Sequence, residues 1–161
     1  MSSFLPQKTI DESQLELAFN CMENGYFSAA FQILNASKSS ERADILFALG
    51  ICLFSAEDYA AAVRYFEQAL SALKCNRSGG VPPPKTETYK ILRKNEISGK
   101  AYLKPFCVLF TKSFFESAKE NITIALAEAL VKCGNTDKAK IFINSLSGDE
   151  FSAIKELINT G

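Results

Sequence analysis

The sequence predicts an all-α fold, a solenoid of antiparallel helix pairs, and three observations carry that expectation. A leucine stands 13 residues ahead of an alanine three times: Leu17 and Ala30, Leu49 and Ala62, Leu126 and Ala139. The apolar residues around each leucine recur at the spacing of a helical stripe and do not alternate as in a strand. Between each leucine and its alanine lies a turn of polar or small residues, Asn24-Gly25, Glu57-Asp58 and Gly134-Asn135. Repetition in one register is the mark of stacked units, each covering the apolar face of its neighbour.

The middle unit, Ala43 to Lys74, carries the pattern most fully. Leu46, Leu49-Gly50 and Leu53 are followed by Ala62, Phe66 and Ala69. Two amphipathic helices are expected, at roughly 43–55 and 59–73, with Gly50 and Ala62 where they approach most closely, since a larger side chain there would hold them apart. These spacings resemble the tetratricopeptide repeat (TPR), with leucine in the places of its tryptophan and tyrosine. The resemblance implies a TPR-type α-solenoid of three degenerate repeats, an insertion and a final helix.

In that frame residues 1–161 form a single helical domain. The repeats span about 11–42, 43–76 and 120–148, an insertion occupies 77–119, and a last helix runs 149–159. Thr9-x-x-Glu12 and Ser147-x-x-Glu150 read as capping boxes opening the first and last helices. The last helix places Phe151, Ile154, Leu157 and Ile158 on one face, suited to cover the end of the stack. The insertion opens with Arg-Ser-Gly-Gly-Val-Pro-Pro-Pro, whose prolines exclude regular structure, so the linker from Arg77 to Lys85 is expected to be open to proteases. A polar, helix-compatible segment follows from Thr86 to Glu96. The apolar run from Phe106 to Phe115 fits a helix buried against the repeats, though a continuous run is ambiguous between helix and strand by periodicity.

Composition narrows the function. The chain has 161 residues, 47% hydrophobic, with 18 basic and 18 acidic side chains. That balance offers no overall field for nucleic acid or an anionic membrane. The insertion departs from it, with nine lysines and arginines against three glutamates, leaving the remainder at −6; a solvated loop explains this better than an acidic partner. No signal peptide or membrane span is expected, which suggests an intracellular chain, cytoplasmic or nuclear. There is no histidine, so the imidazole-dependent nucleophile triads are excluded. The five cysteines lack paired metal-ligand spacing, and no glycine-rich phosphate loop occurs. No catalytic residue, metal, cofactor or small-molecule substrate is therefore expected. An enzyme using Cys107 or Cys75 as nucleophile is the alternative from another class.

In a TPR array the first helix of each pair lines a concave surface. The matching inward places are Glu12, Leu15, Phe19 and Met22, then Asp44, Phe47, Ala48, Ile51 and Phe54, then Asn121, Ala125 and Val131. None is basic, which disfavours capture of a chaperone carboxylate. Phe19, Phe47, Ile51 and Phe54 are the candidate partner-binding residues, for a helix of another protein or a second copy of this chain. One further resemblance rests on the order of parts: a degenerate hairpin from Cys21 to Leu34, the Leu46–Leu70 unit with its Asp58-Tyr59 neighbourhood, a long Pro/Ser/Gly insertion, and Ala127 to Lys140. This order is similar to the N-terminal region of the subunit-seven family of the anaphase-promoting complex. It implies a non-catalytic scaffold of a cell-cycle ubiquitin ligase that self-associates through its N-terminal repeats. A stand-alone adaptor holding a helical peptide is the other reading.

Overall fold

The computed structural model describes residues 10–37, 41–75 and 79–161. The regular structure of the described residues is all helical, with no strand among them. The first pair is α1 (Glu12–Glu23) and α2 (Phe27–Asn35), the second α3 (Ala43–Ser55) and α4 (Tyr59–Cys75). Within the insertion lie α5 (Glu87–Ser98), a 3-10 turn (Ala101–Leu103) and α6 (Val108–Ser113). Then come α7 (Phe115–Lys132), α8 (Thr136–Asn144), a 3-10 turn (Asp149–Phe151) and α9 (Ser152–Thr160). Each pair packs on the next, α2 on α3, α4 on α7 and α8 on α9, as a TPR-type α-solenoid requires. Among the described residues no helix is long and apolar enough to cross a membrane.

The repeated turns share one backbone solution. The residue eight positions after each repeat leucine is left-handed: Gly25 at φ +80°, Glu57 at +61° and Gly134 at +79°. The following amide reaches back to close the helix, Tyr26 to the Cys21 carbonyl, Asp58 to Leu53 and Asn135 to Leu130, at 2.8–3.0 Å. This arrangement satisfies carbonyls that the helix end leaves unpaired. Two of the three positions use glycine, which adopts this conformation without a steric cost. Asp58 then starts α4, its side chain accepting from the Ala61 amide at 3.1 Å.

Several boundaries differ from expectation for identifiable reasons. Thr9 lies outside the described residues, and α1 is capped by Asp11, which accepts from the Gln14 amide at 2.8 Å. No side chain caps the last helix; Gly148, at φ +128°, leads into the 3-10 turn and α9 begins at Ser152. The Glu150 carboxylate there folds against Gly148 in place of closing a capping box. Leu157 faces solvent, 67% exposed, while Phe151, Ile154 and Ile158 are buried. The third pair starts at Phe115, five residues ahead of Glu120, because buried Phe115 and Ala118 extend the inward face of α7. The linker is also less open than its prolines suggest. The Val81 amide donates to the Ser113 carbonyl at 2.9 Å, and Gly80 lies against the Lys112 and Ser113 carbonyls. Residues 76–78, including Arg77, lie outside the described set.

The core centres on the second pair. Gly50 faces the Phe66 ring so closely that an added Cβ would meet it at 2.5 Å. Ala62, Phe66, Leu49 and Leu126 are fully buried. Gly50→Ala should therefore lower stability by about 1–3 kcal/mol through overpacking, although alanine is the better helix former by about 1 kcal/mol. An unchanged or raised melting temperature would show that the ring can move aside. Burial pushes the Cys52 thiol up to about 12 from an ordinary 9.0. Between those values the unfolded thiol ionises and the folded one does not, so stability falls as pH rises through that window. Native alkylation should modify exposed Cys75, Cys107 and Cys133 well before Cys52, whose reaction awaits unfolding. Equal rates by peptide mapping would contradict this burial.

Candidate protein interface

The inward faces of α1, α3 and α7 are where a TPR array would hold a partner, and the insertion already lies on much of that surface. Phe106, just ahead of α6, stacks on Phe47 of α3, ring centroids 4.6 Å apart and 18° from parallel. Phe110 stacks on Phe106 at 5.5 Å and Phe114 follows at 5.3 Å, a ladder leading away from the core. The apolar run that periodicity left ambiguous is thus short helix and covering aromatic, not strand.

A polar clamp holds the other half of the insertion to α7. Arg93 of α5 is 4% exposed. It donates to Glu120 at 3.0 and 3.2 Å, to Asn121 at 2.6 Å and to Glu96 at 3.0 Å. A buried guanidinium needs such partners, since an unpaired buried charge costs several kcal/mol. Burial pushes the Glu120 carboxyl above the usual carboxylate range, against the opposing pull of Arg93. Tyr102 is buried and donates to Glu128 at 2.6 Å; burial, then that carboxylate, raises its phenol. Lys100 reaches the same carboxylate at 2.9 Å.

The four candidate residues therefore separate. Phe47 and Ile51, at 0% and 2% exposure, belong to the core, with Phe106 of the insertion and Phe66 of α4 against the Phe47 ring; as an open partner surface they are corrected. Phe54 is half-buried and meets Tyr59 edge-on at 5.1 Å. Phe19 lies beside open space. It lines a cleft of about 540 Å³ with Glu12, Leu15, Glu16, Asn20 and Glu23 along α1 and with Cys107 of the insertion opposite. Among the described residues, three carboxylates and no cation line this cleft. Glu12 is engaged by Arg42 at 2.8 Å, which also grips buried Asp44 through Nε and Nη2 at 3.1 and 2.7 Å and so ties α1 to α3.

Residues 43–73, the whole of α3 and most of α4, match the tetratricopeptide repeat family. The chain contains a tetratricopeptide repeat. Neither the curated proteins nor the solved structures give a match. Such repeats are protein-interaction modules, generally without catalysis of their own, so binding through helix faces is the function to consider.

Sequence reasoning passed over two features. Arg93 was one basic residue in a segment assigned to solvent, and only its distance to Asn121 reveals the clamp. Leu17 shares the register of Leu49 and Leu126, yet it is 54% exposed while they are at 0%. Truncating the insertion's anchor, Phe106→Ala, should cost about 3–5 kcal/mol by opening a cavity beside Phe47. A melting curve matching the parent would mean that the insertion rests on the array without stabilising it.

Proposed function

We propose that this chain is a non-catalytic interaction scaffold that binds a second copy of itself through its first helix pair. A subunit of a ubiquitin ligase of the anaphase-promoting type is the setting that the sequence resemblance implies. The observation that carries the self-association reading is Leu17. Its repeat position is fully buried in the other two units, and on α1 it stands in solvent beside half-buried Cys21. A large apolar side chain at a position the repeat design keeps dry favours cover by another surface. Burial of Phe47 and Ile51 supports the same choice, since it moves the free apolar surface from the middle of the array to α1.

Leu17→Glu adds a charge to an exposed face and leaves the internal core untouched, so helical content should stay at the parental level. The mass measured by light scattering should fall from that of an oligomer to that of one chain. A parent that is monomeric at all accessible concentrations, or a variant that keeps the parental mass, would overturn the reading.

A further inference from the structure

The second copy's contribution can be named, resting on the proposal that α1 is the self-association surface. We infer that the exposed face of α5 in one copy docks along α1 of the other, with the lysines of the insertion meeting the α1 glutamates. The charge that stays unpaired within the chain supports this. On α1, Glu12 is occupied by Arg42, whereas Glu16 and Glu23 have no ion pair among the described residues. On α5 and its lead-in, Lys90 pairs with Glu87 at 3.3 Å and Arg93 with Glu96 and Glu120 at 3.0 Å. What remains is Lys85 and Lys94, both exposed and without an ion pair among the described residues. After internal pairing among the described residues, α1 is left with two negative charges, and α5 together with its lead-in with two positive ones.

The apolar surface follows the same division. Ile91 and Leu92 project from α5 at 58% and 57% exposure, beside Lys94. On α1, exposed Leu17 and half-buried Phe19 flank the line from Glu16 to Glu23. Both helices have 12 residues, about 18 Å at the helical rise, so an apolar centre with charged flanks can be matched along their length. Ile91 and Leu92 lie away from the side of α5 on which Arg93 and Ile97 are buried. A two-fold arrangement uses both surfaces of both copies and closes on itself.

Charge reversal tests this directly. One variant carries Glu16→Lys with Glu23→Lys, the other Lys85→Glu with Lys94→Glu. All four positions are exposed, so circular dichroism should report parental helix content. Each variant alone should associate about tenfold or more weakly than the parent in sedimentation equilibrium, because like charges then face each other. Mixed one to one, they should recover parental association, since each α1 again faces an α5 of opposite charge. Parental affinity in either variant alone, or a mixture that stays monomeric, overturns the pairing. Dissociation by Leu17→Glu with no effect of charge reversal would keep α1 as the surface and remove α5 as its counterpart. A parent that is monomeric throughout would sink both.

Discussion

The closeness of α3 and α4 at Gly50 sets the geometry on which the rest of the chain is built. The missing side chain there lets the Phe66 ring fill the crossing, and the pair so formed presents flat apolar faces to both sides. On one side α2 packs against α3; on the other α7 packs against α4. A wider crossing would displace both contacts together, because densely packed interiors transmit a shift and do not absorb it. The segment matched to the repeat family coincides with this pair, where local sequence and tertiary demand agree most fully.

The insertion changes what such an array has to offer. Phe106 closes the face of α3, and Arg93 closes the start of α7 by a route that burial makes demanding: every hydrogen bond to that guanidinium offsets part of the cost of desolvating it. In the proposed reading the partner-facing surface is consequently redistributed. It shifts from the middle pairs to α1 and to the outer side of the insertion, where apolar side chains, and charges without an ion pair among the described residues, remain in solvent. Function in this protein is therefore a matter of which faces the chain has not already covered with itself.

The legible parts of the structure were those fixed by local spacing. The leucine-to-alanine register located three helix pairs, and the turns eight residues after each leucine proved equivalent down to their hydrogen bonds. Gly50 was identified correctly because a small residue at a helix crossing has a steric reason visible in one dimension. Phe47 and Ile51 were misjudged because the pattern of one helix shows which side is inward but not what lies over it. For Phe47 the cover comes from Phe106, more than 50 residues on, in a run whose periodicity could not separate helix from strand. Leu17 shows the reverse: its register matches the other two leucines, but burial at a repeat position depends on a neighbour that register does not supply. The Arg93 clamp gave no local signal, since a lysine- and arginine-rich stretch looks the same whether solvated or paired.

A plain solenoid is nearly one-dimensional, with each unit touching only the next and each boundary a place where melting can stop. Here the aromatic stack joins the insertion back to α3 while the arginine clamp joins it forward to α7. That makes a splint across the α4–α7 junction, the place where the chain departs from its period. Unravelling of the third pair would have to break the clamp, and loosening the second would unseat the stack. Stability is then shared between the two pairs and is not a sum of terms from adjacent units. The entropy of closing the long excursion is spent once, on a contact that makes the two halves fold and unfold together.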